Sequence, residues 1–195
     1  IFFLNDNLGY CGGNNIGIEK SIDKSDLMIV MNPDVVLPKT FCSDLISLTK
    51  KLKSQKLAFG VIGPKLLRTE SSRAPSLIDS TGIFQKWYGK WYDRGQNSVD
   101  GLRYDNELAE QVPAICGALM ILNPQALKQT RLNIGEYFKN SFFMYKEDID
   151  LSLRMKSFGY GVFYVSDLIA HHHRGWQSRR DMPKSSKIIS AKNEL

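Results

Sequence analysis

The sequence predicts an α/β domain built on a largely parallel sheet, and three observations carry that expectation. Residues 27–31 form a continuous apolar run of strand length, as a buried parallel strand requires, and Asn32-Pro33-Asp34 stops it. Pro38 then opens a long amphipathic helix to about Gln55, with Phe41, Leu45, Leu48 and Leu52 on one face. Residues 59–67 make a further strand, so strands alternate with helices.

The remaining elements follow in order. Ile1-Phe2-Phe3-Leu4 reads as a strand already under way. Residues 5–14 read as a polar, Gly-rich loop and 15–24 as a short helix. Residues 68–111 are polar, rich in Gly, Ser and Tyr, and carry Trp87, Tyr88, Trp91 and Tyr92; they predict an irregular excursion with a short hairpin, the kind of long loop that often carries function. Strand character returns at 112–122, around Cys116-Gly117-Ala118. From Ile149, the residues Ile149, Leu153 and Met155 to Phe158 recur at helical spacing, a short strand is expected at 161–165, and 174–195 form a basic tail whose end reads like a helix still running. The expectation is one domain over 1–195, cut from a longer protein.

The bulk numbers narrow the class. With 195 residues, 43% hydrophobic and 24% charged, the chain has the composition of a soluble globular domain with a real core. No apolar run approaches a membrane span, no signal peptide is seen, and no repeat is visible. Cys11, Cys42 and Cys116 are far apart and include no Cys-x-x-Cys pair, which argues against a disulfide framework or zinc site and fits a reducing compartment. The net charge is +6, with Arg174, Arg179, Arg180, Lys184, Lys187 and Lys192 near the end. Such a patch suits a nucleotide, a nucleic acid or an anionic membrane face, although for the charge by itself a solvated surface is the favoured explanation. The aromatics do not interleave with the basic cluster and no nucleic-acid motif is present, so nucleic acid is not expected as a partner.

Four segments carry candidate chemistry. The first is Phe142-Phe143-Met144-Tyr145-Lys146-Glu147-Asp148-Ile149-Asp150, with three carboxylates within four residues of a helix start. Acids are favoured there by unpaired amides and the dipole. Capping accounts for one or two of them, whereas a third beside an aromatic run is costly to desolvate and well placed as a general base. The second is Asn7-Leu8-Gly9-Tyr10-Cys11-Gly12-Gly13-Asn14-Asn15, between a strand and a helix, where glycines let backbone amides approach an anion. It lacks the P-loop lysine and the dinucleotide fingerprint, and reads equally as a plain turn. The third, Asn32-Pro33-Asp34, should emerge at the carboxyl edge of the sheet, where Asp34 can hold a divalent ion, although an Asn-Pro-Asp turn is just as natural there. The fourth is His171-His172-His173, the chain's only histidines; on a strand His172 would face opposite to its neighbours.

Together these segments make a metal–diphosphate site with a base beside it, which is what transfer from a nucleotide-activated donor requires. A nucleotidyltransferase would use the same logic. It would release pyrophosphate, and it needs an early basic Gly-rich signature that is not seen here.

Asn7-Leu8-Gly9, Gly13-Asn14-Asn15, Asn32-Pro33-Asp34, Gly117-Ala118, the run Phe143 to Arg154 and His172 resemble, in that order, the family 2 glycosyltransferases, closest to the bacterial rhamnosyltransferase-like group that builds surface polysaccharides. Asp79-Ser80-Thr81-Gly82 and Lys90-Trp91-Tyr92-Asp93-Arg94-Gly95 resemble that group too. The resemblance implies a GT-A fold, with a mostly parallel sheet flanked by helices and without its first βαβ portion. It implies an inverting, metal-dependent transfer from a nucleotide sugar, with rhamnose the sugar this group suggests. By it, Asp148 matches the catalytic base and Glu147 flanks it at the acceptor site. Asp34 is a ligand of Mg²⁺ or Mn²⁺, in a motif where Asn32 replaces the usual first Asp. His172 matches a late metal ligand, with His171 one residue away in register. Asn7, Gly9, Gly13, Asn14, Asn32, Gly117 and Ala118 are the expected donor-side contacts. Asp150 and Arg154 hold the helix and its loop, and Trp91 and its aromatic neighbours are of the type that stacks on sugars. The partners expected are a nucleotide-sugar donor, a glycan or lipid-linked glycan acceptor and an anionic membrane at the cytoplasmic face. A fragment lacking the nucleoside pocket, inactive alone and serving as a binding domain, is the alternative.

Overall fold

The computed structural model describes residues 3–68, 76–173 and 181–194. Its centre is β3 (Phe59–Arg68), all ten of whose residues are buried. Beside it lies β9 (Gly161–His172), parallel to it from Phe59↔Gly161 to Arg68↔His172. On its other side β8 (Leu119–Leu122) runs antiparallel, and β8 in turn pairs antiparallel with the edge strand β1 (Met28–Met31). The short β2 (Val35–Val36) closes the far edge against His171 and His172. The order is β1-β8-β3-β9-β2.

The expected parallel character therefore holds for strand direction in β1, β3 and β9, while β8 is inserted antiparallel between β1 and β3. The sheet is mixed, and its longest pairing is parallel. The shared direction has a consequence for function: the carboxyl ends of β1, β3 and β9 and the amino end of β8 all emerge at one edge, where open α/β sheets bind ligands.

Two apolar layers cover the sheet. On one face Phe41, Leu45, Leu48 and Leu52 of α2 (Phe41–Ser54) pack on Phe59, Ile62, Leu66 and Phe163. On the other, α1 (Gly9–Ser21), α3 (Pro124–Thr130) and α4 (Glu147–Ser157) contribute Cys11, Ile18, Leu127, Leu151 and Met155.

Several boundaries differ from the sequence expectation. Helix α1 starts at Gly9, inside the segment expected to be a loop. Glycine disfavours helix, but Cys11, Asn15 and Ile18 fall on one buried face and tertiary packing overrides propensity. Asn7 Oδ1 accepts the Gly9 amide at 2.9 Å just ahead of the helix, whose N-cap residue Leu8 makes no side-chain cap. Strand β1 is an edge strand rather than a fully buried one: Ile29 and Met31 are 41% and 42% exposed. An apolar run shows strand length but not sheet position. Strand β9 extends well past Val165, because residues 166–168 bulge out and pairing resumes at Ile169. In α4 the inward residues are Ile149, Leu151, Ser152 and Met155, while Leu153 and Phe158 face solvent.

The stretch 76–111 contains β4 (Ile78–Ser80) on the edge of β3, a hairpin of β5 (Ile83–Gln85) and β6 (Trp91–Asp93), and β7 (Glu110–Gln111) on β9. Arg94 locks it to the sheet through two 2.7 Å bonds to Glu110, and buried Lys65 reaches Asp100 and Asp105. Part of the basic tail, including Arg174, Arg179 and Arg180, lies outside the described residues; α5 (Lys184–Lys192) follows. Among the described residues no helix is long and apolar enough to cross a membrane.

Candidate functional site

At the shared strand edge lies a cleft of about 570 Å³. Asn32 and Asp34 line it from the end of β1, Gly117 and Ala118 from the approach to β8, His172 from the end of β9, and Glu147 and Asp148 from the start of α4. The β5–β6 hairpin supplies a further wall with Trp91, Tyr92 and Asp93, and the C-terminal segment adds Met182 and Ser190.

At one side, Asp34 Oδ1 lies 3.3 Å from His172 Nε2. His172 Nδ1 lies 2.7 Å from Asp79 Oδ2, and Asp79 is fully buried, with Arg68 Nε 3.6 Å from its other oxygen. A carboxylate only accepts, so Nδ1–H donates to Asp79, and in the neutral ring that leaves the Nε2 lone pair facing Asp34. Asp34 Oδ1 is buried and, among the described residues, has no hydrogen-bond partner beyond that contact. In that tautomer two acceptors face each other and call for a cation between them, a proton on Nε2 or a metal ion. The carboxylate–imidazole arrangement is the one that orients metal-bound histidines. Among the described residues no cluster of three or more His, Cys, Asp and Glu side chains could hold an ion unaided. The pair therefore fits a hard divalent ion that takes its remaining oxygens from a diphosphate and water.

Beyond Gly117 and Ala118 stands the acidic pair. Asp148 Oδ2 accepts the Gly117 amide at 2.8 Å, and Oδ1 accepts the Ile149 amide at 2.9 Å. Burial pushes its carboxyl up to about 6, against the pull of those two amides. Glu147 is 5% exposed, and its Oε2 has no hydrogen-bond partner among the described residues. Burial, and then the neighbouring Asp148 charge, push it up to about 8. The pair thus holds one proton at neutral pH. The amides favour charge on Asp148, so Glu147 keeps the proton and Asp148 is the ionised member.

The Gly117 peptide is gripped on both sides, since Tyr10 Oη donates to its carbonyl at 2.8 Å. Burial and the nearby Glu147 and Asp148 charges hold the Tyr10 hydroxyl in its protonated form. A Cβ at Gly117 would come to 3.2 Å from Asp148 Oδ2, a tight contact that the carboxylate would have to yield to by a few tenths of an ångström. Ahead of α4 the chain is strained. Phe143, Tyr145 and Lys146 have φ of 61°, 69° and 74°. Asn193, at the end of α5, donates its amide to the carbonyls of Phe142, Met144 and Tyr145.

Of the segment 7–15 only Tyr10 lines the cleft among the described residues. Asn7 accepts the Gly9 amide ahead of α1, and Gly9 packs against Phe143. Gly13 and Asn14 face a separate groove beside β1. Asn15 clasps the backbone of Tyr137 and Phe138. His171 is not among the cleft residues. Arg154 bonds Asp150 and the Tyr137 carbonyl, which ties α4 to the preceding loop. Sequence reasoning missed Tyr10, Asn193 and the role of Asp79. Only Asp79 carried a signal, as an acid inside a strand-like run.

No protein-family profile matches the chain. Over 159 residues it is 28% identical to Agl10, a low-salt glycan biosynthesis hexosyltransferase of Haloferax volcanii; the match covers 77% of this chain and 44% of the relative. The chain thus spans less than half the length of that curated relative. The crystal structure of GalNAc-T7 with UDP, GalNAc and Mn²⁺ superposes with a TM-score of 0.63 at 15% identity, covering 90% of this chain and 33% of that one. The chain accordingly has the α/β architecture of a GT-A glycosyltransferase.

Proposed function

We propose that the chain is the catalytic part of an inverting, metal-dependent glycosyltransferase of the family 2, rhamnosyltransferase-like kind. It moves a sugar from a nucleoside-diphosphate donor to a hydroxyl of a growing, lipid-linked surface glycan at the inner membrane face. One observation carries the reading: the Asp34–His172 pair and the Glu147–Asp148 pair line the same cleft. The similarity to a hexosyltransferase and the GT-A architecture support it.

In this reading Asp148 accepts the proton of the acceptor hydroxyl as its oxygen attacks the anomeric carbon. The bond from that carbon to the diphosphate oxygen breaks on the opposite face, which inverts the centre. Asp34 and His172 would hold Mg²⁺ or Mn²⁺, which would supply positive charge against the departing diphosphate. Glu147 stays protonated and donates toward the acceptor. Asn32, Gly117 and Ala118 lie on the donor side. Asn7, Gly9, Gly13 and Asn14 serve the site through α1, which positions Tyr10 and the loop before α4.

The test is calorimetric titration of TDP, UDP and GDP into the full-length protein, with and without Mn²⁺. One of them should bind tightly and only with metal. Asp148→Asn should retain that binding and lose transfer. Absence of binding by all three would remove the donor site and the enzyme reading with it.

A further inference from the structure

The turn of the β5–β6 hairpin carries a surface outside the cleft at Lys86 to Gly89, while Lys90 at its end lines the cleft. Lys86 to Lys90 form the turn, closed by Lys86 N to Lys90 O and Gly89 N to Lys86 O, with the Gln85 side chain donating to Gly89 O. At its apex Trp87 is 95% exposed and Tyr88 54%. Their rings meet edge to face at 5.4 Å. Lys86 Nζ sits 5.8 Å from the Tyr88 ring and 5.7 Å from that of Tyr92. Lys90 flanks the other side, and no carboxylate lies between Phe84 and Tyr92.

Leaving the largest side chain in water at the end of a projecting hairpin forgoes its burial, so the tip is built to meet something. Trp and Tyr are rings with one polar atom, the chemistry that settles in the headgroup zone of a bilayer. Lysines beside them can rest their stems along the rings while their charges reach anionic headgroups. The turn's internal backbone bonds lower the cost of taking it out of water. A sugar, by contrast, needs a flat ring face in a concavity, and here two rings stand nearly perpendicular on a convex tip.

We propose that residues 86–90 seat the protein in the interfacial layer of an anionic lipid bilayer. The next residues, Trp91, Tyr92 and Asp93, line the cleft, so a seated tip holds the cleft at the lipid surface, where a lipid-borne acceptor presents its sugar. That consequence rests on the transfer reading, whereas the surface itself does not.

The experiment is co-sedimentation of the full-length protein with vesicles of phosphatidylcholine alone or mixed equally with phosphatidylglycerol. The wild type should partition to the mixed vesicles, less so at high salt. The double variant Trp87→Ala, Tyr88→Ala should partition about tenfold more weakly while nucleotide binding is unchanged. Brominated lipid should quench the emission that Trp87→Phe removes, which isolates the tip from any other membrane-binding part. Equal partitioning of variant and wild type, with no such quenching, overturns the proposal. Intact vesicle binding with lost affinity for a soluble oligosaccharide overturns it too and assigns the rings to glycan. Failure of nucleotide binding with the vesicle result intact would sink the transfer reading alone.

Discussion

Asp79 Oδ2 lies 2.7 Å from Nδ1 of His172, and both side chains are buried, on β4 and β9, which flank β3 on opposite edges. This contact fixes which imidazole nitrogen faces Asp34. Asp79→Asn keeps the shape but offers Nδ1 an amide that can donate, so the ring can turn its lone pair away from Asp34. Mn²⁺ affinity in the presence of nucleoside diphosphate should fall about 10–100-fold, read by electron paramagnetic resonance of free Mn²⁺. An unchanged affinity in a variant with wild-type melting would deny Asp79 this orienting role.

The acidic pair makes a prediction about pH. If Asp148 is the base, kcat/KM should rise with pH through an apparent value near 6. Stability should move the other way. Both carboxyls are raised above their unfolded values, so the folded state binds more protons between the ordinary carboxylate range and about 8. Stability from this pair is therefore greatest in acid and declines as pH rises through that window. Glu147→Gln should be neutral at the acid end and stabilising at pH 8, where the wild-type carboxyl is half ionised in its buried site. Urea melts at both pH values measure this, and parallel pH dependence in variant and wild type would place the buried proton elsewhere.

The contrast between these groups shows what could be read from the chain. Asp148, Glu147, Asp34 and His172 announce themselves locally, by carboxylates at a helix start, an Asp behind an apolar run and a unique His cluster. The strand alternation also gave the α/β class. Asp79 is 93 residues from His172, and Asn193 is 51 from Phe142, so no local spacing links either pair. The start of α1 at Gly9 was hidden for a related reason: its glycines argue against helix, and the burial of Cys11, Asn15 and Ile18 that outweighs them is tertiary. The antiparallel insertion of β8 was equally hidden, because a strand's apolar pattern carries no direction.

Gly117→Ala tests the link between backbone and base. Its Cβ would press on Asp148 Cβ and Oδ2, both at 3.2 Å, and then on Tyr10 Oη at 3.4 Å. The cheapest relief is a small shift of the Asp148 carboxylate, and misplacement of a reacting group by about 1 Å can cost about a hundredfold in rate. We expect kcat to fall about 10–100-fold with donor affinity nearly unchanged. Tyr10→Phe frees the carbonyl without crowding the base and should cost less. Equal kcat in all three proteins would show that the clamp does not position Asp148.

Asn193 offers the most distant test of the same site. Its side-chain amide reaches three carbonyls, Phe142 at 2.8 Å, Met144 at 3.0 Å and Tyr145 at 3.1 Å, just where the backbone turns left-handed before Glu147. Such conformations cost about 1 kcal/mol or more each and persist only when the surroundings over-determine them. Asn193→Ala removes the donor from the half-buried Met144 and Tyr145 carbonyls, leaving Phe142 O only the Met144 amide, and Asn193→Asp sets a carboxylate against them, which is worse. Amide exchange across residues 142–147 should quicken in the order wild type, alanine, aspartate. kcat should fall in the same order, while nucleotide affinity, set at the Asp34 side, stays near wild type. Loss of nucleotide binding in step with kcat would instead mean that α5 supports the whole cleft, and exchange unchanged in both variants would mean that the loop keeps its strained course without Asn193.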